Sequence, residues 1–171
     1  PGARAAVAAS ATGRIGVLGT AGTIASGAYQ RAVAQRSTRA EVTAVAAPLL
    51  VPLAEEGWTE GEVPRLAARR YLEPLAQAAV DTVVLGCTHY PLLRGVVEAE
   101  ARALLGAAVA VVDSAEAAAE DVREFLRERD LLRAAGVPGV DVRVTDIPGH
   151  FATTAARFLG EPVASVQQVD L

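Results

Sequence analysis

Apolar positions along this 171-residue chain alternate between short continuous runs and longer stretches at helical spacing. Residues 1–10 read as a helix closed by Gly13, since Pro suits a first helical position and Gly the place past an end. The run at 14–19 (Arg-Ile-Gly-Val-Leu-Gly) predicts a buried strand, and Ile24, Ala28, Ala32 and Val33 predict a helix over 24–36. A second strand is expected at 41–46, followed by a loop from about Pro48 to Gly57. A helical region at 64–80 comes next, which Pro74 should kink or divide. The run at 81–86 (Asp-Thr-Val-Val-Leu-Gly) is continuous and β-branched, as parallel core strands tend to be. A helix over 91–105, a strand at 109–112 and a helix over about 115–135 complete the series, with Asp113 or Ser114 capping the last.

Strands alternating with helices in this way predict a layered α/β domain built on a parallel sheet. From Val137 onward the pattern changes to a strand at 141–145, a helix at 148–159 and a strand at 163–169. That is too little to bury a core alone, so this tail is expected to dock on something else.

Composition narrows the class. Charged residues at 21% exclude a disordered charged tail. A net charge of −4, with no basic cluster and no interleaved aromatics, makes a nucleic-acid partner a poor fit. No apolar run approaches the ~18 residues of a membrane span, and no signal-peptide pattern opens the chain. One Cys and two His make a structural zinc site a poor fit and exclude an internal disulfide. The expectation is a soluble, cytoplasmic protein with no metal. The chain holds no Met and begins Pro1-Gly2-Ala3-Arg4, which fits either removal of an initiator Met or a segment of a longer protein, and the segment is the expectation.

Three stretches can carry chemistry. In Gly86-Cys87-Thr88-His89-Tyr90-Pro91, a strand ends and a helix is expected to begin, the place where open α/β sheets bind ligands. With Pro91 at a first helical position, Cys87 would lie just ahead of a helix N-terminus, whose partial charge lowers a thiol from ~8.5 and favours the thiolate. His89 can donate to that thiolate or move its proton, and Thr88 offers a hydroxyl and an N–H to an anion. A lone Cys is often a small core hydrophobe. The junction and its Thr and His neighbours favour the chemical reading here.

The second stretch, Gly19-Thr20-Ala21-Gly22-Thr23, also joins a strand to a helix, and the Thr20 and Thr23 hydroxyls can hold a carboxylate. It lacks dinucleotide spacing, and a Walker lysine is impossible because all 16 basic residues are Arg. The third, Pro52-Leu53-Ala54-Glu55-Glu56-Gly57, places a carboxylate on the same edge of the sheet as Cys87, where it can orient a His or be simply solvated. His150 reads as a surface residue and Asp113 as a helix cap. Together the groups suggest a small anion pocket around one activated thiol, suited to an amino acid or dicarboxylate more than a phosphate ester.

These stretches resemble the glutamate racemases of the aspartate/glutamate racemase superfamily. The resemblance rests on 19–29, on Val51-Pro52-Leu53-Ala54-Glu55-Glu56-Gly57 and on Leu85-Gly86-Cys87-Thr88-His89-Tyr90-Pro91-Leu92. It extends through Val112-Asp113-Ser114-Ala115 to the tail at 157–171. It implies a three-layer parallel-sheet domain over 1–114, with 115–171 returning to complete a first domain that is absent here. It further implies interconversion of L- and D-glutamate without pyridoxal phosphate or any other cofactor, supplying D-glutamate for peptidoglycan. Inversion at carbon needs an acid and a base on opposite faces, and a thiol with a pKa near working pH serves as either. Cys87 corresponds to the second of two catalytic thiols, with His89 supporting and Thr88 and His89 binding substrate. Glu55 corresponds to an acidic assisting residue, a role for which Glu56 competes, and Thr20 and Thr23 to the carboxylate-binding turn.

The chain departs from the family pattern in lacking the Asp-Ser-Gly turn and the Cys-Asn-Thr motif of the first half, and in having Ala47 where many relatives have Cys. It would therefore hold half an active site and be inactive alone. The partner expected is glutamate, with a homodimer open for the full-length protein. Two other readings stay open: a binding module for an amino acid or dicarboxylate without catalysis, and a racemase for aspartate.

Overall fold

The computed structural model describes residues 1–136, 139–145, 147–163 and 165–170. The chain divides into two compact units, Pro1–Asp130 and Leu131–Leu171.

The first unit is built on a four-stranded parallel sheet of order β2-β1-β3-β4, from β1 (Arg14–Gly19), β2 (Glu41–Ala46), β3 (Thr82–Leu85) and β4 (Ala110–Asp113). Register places Leu18 opposite both Val45 and Leu85, so three strands end at one level. Side chains alternate between faces with the period of two that a strand imposes. Ile15, Val17 and Val84 face one core with Ala3 and Ala6 of α1 (Gly2–Ala9) and Val33 of α3 (Ala28–Ala34). Leu18, Val83 and Leu85 face the other core, with α4 (Leu50–Glu55), α5 (Glu62–Gln77) and α6 (Arg94–Leu105). A helix α7 (Ser114–Glu128) packs against α1 on the first face. Helices on both faces of a parallel sheet make the expected three layers.

Several elements differ from the sequence expectation for physical reasons. The helix expected at 24–36 is split into α2 (Ala21–Ala25) and α3, because Gly27 turns the chain at φ +62°. The expected loop at 48–57 contains α4. Pro52 lies in that helix's first turn, where a missing N–H costs nothing, and Leu50, Leu53 and Ala54 are buried at helical spacing. Pro74 does not divide α5; it stands in the last turn, and its carbonyl accepts the Ala78 N–H. The helix expected from Pro91 begins as a 3₁₀ turn (Tyr90–Leu93), with α6 starting only at Arg94. Asp113 caps α7 by accepting the Ala115 N–H at 2.7 Å, and α7 stops at Glu128 rather than near 135.

Buried charge ties the outer helices together. Glu100 on α6, almost wholly buried, accepts from Arg69 at 3.0 Å and Arg65 at 3.4 Å on α5. Arg94 pairs with Glu116 and Glu98, both at 2.7 Å, and these bonds hold its guanidinium even more firmly protonated than usual. Helix α7 thus belongs by packing to the first unit.

The second unit contains β5 (Val142–Val144), α8 (Pro148–Leu159) and β6 (Val166–Gln168), the strands pairing in parallel. Val144 and Ala155 are buried, while Ile147, Phe151, Phe158 and Leu159 are exposed. Val137, Ala164 and Leu171, which belong to the tail as read from sequence, lie outside the described residues, as does the side chain of His150. Among the described residues no helix is long and apolar enough to cross a membrane.

Candidate active site

In a sheet of order 2-1-3-4 the chain turns in opposite directions after β1 and after β3. The crevice beyond the carboxyl ends of those two strands is the usual ligand position in such folds. The Thr20 turn follows β1 and Cys87 follows β3, so both predicted stretches reach this edge. Glycine at 86 is a steric requirement: its N–H donates to the Leu18 carbonyl at 2.8 Å, and a Cβ there would sit 2.8 Å from that same oxygen.

Cys87 is half-buried against the second core, with its thiol free of any disulfide. Its Sγ lies 3.8 Å from Nδ1 of His89. On the other side of the ring, His89 Nε2 is 3.2 Å from Oε1 of Glu55, the last residue of α4. Thr88 is exposed and brings its hydroxyl within 3.4 Å of the same Nδ1. The structure thus brings Cys87, His89 and Glu55 into one line. Glu56 is the exposed C-terminal cap residue of α4.

This line has a definite chemistry. If Nε2–H donates to Glu55, a neutral ring leaves Nδ1 as an acceptor facing the thiol. A protonated ring donates from both nitrogens, to the carboxylate and to a thiolate. A proton can pass between sulfur and ring without either group moving far, while the carboxylate fixes the ring's orientation. Cys87 stands ahead of the 3₁₀ turn Tyr90–Leu93, which runs directly into α6 at Arg94.

Thr20 and Thr23 are half-buried, and their hydroxyls lie 2.9 Å apart; Thr20 Oγ1 also accepts the Thr23 N–H at 3.2 Å as the cap of α2. Each hydroxyl retains further bonding capacity toward solvent or a ligand. Among the described residues, no group of three His, Cys, Asp or Glu side chains is placed to hold a metal ion.

Two tyrosines were missed by the sequence reading. Tyr90 is wholly buried and donates to the Ala47 carbonyl at 2.8 Å, and Tyr71 Oη accepts the Leu49 N–H at 3.3 Å. The one available signal was an aromatic in the Cys-Thr-His-Tyr run, which reads equally well as core.

The open parallel α/β domain thus places a thiol, an imidazole and a carboxylate next to one another at its switch point. The sequence model of Asp/Glu/Hydantoin racemase matches residues 1–122, and the chain belongs to that family. It is 49% identical over 172 residues to a glutamate racemase of Geobacter metallireducens, which covers all of this chain and 62% of that relative. The crystal structure of glutamate racemase isoform RacE1 from Bacillus anthracis superposes with a TM-score of 0.89 at 35% identity, over 100% of this chain and 62% of that one. The glutamate racemase of Francisella tularensis, solved in complex with D-glutamate, gives 0.84 at 28% identity, over 98% of this chain and 62% of its own. The chain thus spans less than two thirds of the length of these relatives.

Proposed function

We propose that this chain contributes one half of a glutamate racemase that inverts the α-carbon by transferring protons between two thiols, without pyridoxal phosphate or metal. The alignment of Cys87, His89 and Glu55 carries this reading. Cys87 is the acid–base thiol on one face of the substrate. His89, oriented by Glu55, takes up or returns its proton. Thr88 and His89 bind substrate beside it, and Thr20 and Thr23 receive a carboxylate across the crevice. The opposing thiol lies in sequence beyond these 171 residues, since a single sulfur cannot act on both faces of one carbon.

Of the expected returning segment, 115–171, α7 packs on the first unit, so the part assigned to the other domain is the second unit, Leu131–Leu171, a reading supported by its exposed Phe151 and Leu159. Glutamate as substrate is supported by the Francisella relative's D-glutamate complex. The product would enter peptidoglycan synthesis in the cytoplasm.

Deuterium incorporation tests the reading. The longer protein that contains this chain, incubated with L-glutamate in deuterated water, should label Cα and form the D-enantiomer. The 171-residue chain alone should do neither. Faster exchange with aspartate would redirect the substrate, and glutamate binding without exchange by the longer protein would leave only a binding module.

A further inference from the structure

We propose that Tyr90 is a positioning residue: its hydroxyl bond to the Ala47 carbonyl fixes the start of α4, and so holds Glu55, at the other end of that helix, within reach of His89. The inference rests on reading Cys87, His89 and Glu55 as one proton-handling line, and adds a residue that touches no reacting atom.

Neighbouring residues His89 and Tyr90 grip α4 from end to end. His89 meets Glu55, the last residue of the helix, at 3.2 Å, and Tyr90 meets Ala47, just ahead of its start, at 2.8 Å. Six helical residues span about 9 Å, so these two contacts fix the helix direction where one would leave it free to pivot. The Ala47 carbonyl also accepts the Leu50 N–H at 3.1 Å, and the Ala47 N–H donates to Gly19 at the end of β1 at 2.8 Å. Tyr71 on α5 accepts the intervening Leu49 N–H at 3.3 Å, a second tether on the same turn.

Leu50, Leu53 and Ala54 pack α4 against the core, but apolar contact is not directional and does not by itself aim the carboxylate. Burial first, and then the nearby Cys87 and Tyr71, push the Tyr90 phenol well above its ordinary range. The hydroxyl therefore stays a donor wherever the site would work.

Cys87 is the only thiol of the chain, so its alkylation rate by iodoacetamide at fixed pH reports on the line alone. The test compares wild type, Glu55→Gln, Tyr90→Phe and the double variant, with thermal unfolding of each. Tyr90→Phe keeps the ring in the core and leaves the Ala47 carbonyl its Leu50 partner, so the fold is retained. Glu55→Gln should slow alkylation about tenfold and Tyr90→Phe about threefold, with the double variant no slower than Glu55→Gln, because residues acting through one another are not additive.

Multiplying effects, an unchanged rate in Tyr90→Phe, or slowing that merely follows lost thermal stability would overturn the proposal. An unchanged rate in Glu55→Gln would instead sink the underlying reading of the line, and this inference with it. Should Tyr90→Phe not fold, Tyr71→Phe loosens the same turn from outside and should slow alkylation in the wild-type background but not in Glu55→Gln; slowing in both, or in neither, overturns the proposal.

Discussion

At the amino end of β3, Asp81 accepts from the Ser10 hydroxyl at 2.6 Å, from the Thr12 N–H and hydroxyl at 2.6 and 2.8 Å, and from Thr82 at 3.1 Å. At its carboxyl end, Cys87 has a long 3.8 Å approach to His89, and Glu55 completes the line from a half-exposed position. One end saturates a carboxylate with donors and pins the turn before β1. The other gathers a thiol, an imidazole and a carboxylate at the mouth of a crevice. Between these two edges β1 and β3 are held in register by their own pairing, from Ile15 opposite Thr82 to Leu18 opposite Leu85.

Mutations should separate the two edges. Cys87→Ser in the longer protein should lower α-proton exchange about a thousandfold or more with unfolding unchanged, as measured by deuterium uptake and calorimetry. A proportionate loss of stability would place Cys87 with the structural residues instead. Gly86→Ala crosses the comparison, since its Cβ would press on the Leu18 carbonyl where no flexible side chain can yield. It should cost about 3 kcal/mol in denaturant unfolding and disturb the Cys87 line as well.

Asp81→Asn should cost about 2 kcal/mol and leave alkylation of Cys87 unchanged. The pH dependence has a fixed sign. Burial raises the Asp81 carboxyl, but the bonds from Ser10, Thr12 and Thr82 together outweigh it and hold the group at about 2. A folded value below the unfolded one of ~3.9 means the stabilisation is complete above that pH and is lost as pH falls toward 2. The gap in Tm between wild type and Asp81→Asn should therefore narrow across that window. The smallest effect should separate two neighbours: Glu55→Gln should slow exchange about tenfold, and Glu56→Gln less than about twofold.

Much of this architecture was legible because it is written in local pattern. The apolar runs of β1 and β3 and the glycines closing them marked the crevice, and Gly86-Cys87-Thr88-His89 marked what stands in it. The helix carrying Glu55 was hidden because Pro52 reads as a breaker, although in a first turn it breaks nothing. The choice between Glu55 and Glu56 depends on which carboxylate the end of α4 turns toward His89, which spacing alone does not settle. Tyr90 on Ala47 and Tyr71 on Leu49 join residues far apart in sequence, and no periodicity announces such pairs.

The strand order has a consequence for how the molecule comes into being. β2 follows β1 closely in the chain, but β1's other neighbour, β3, is synthesised only after α4 and α5. In that interval the inner edge of β1, destined for the centre of the sheet, is a bare row of N–H and C=O groups open to any passing strand. Nascent chains that stop short of Thr82 should therefore aggregate, and those that extend through Asp113, where β4 covers the other edge of β3, should become protease-resistant.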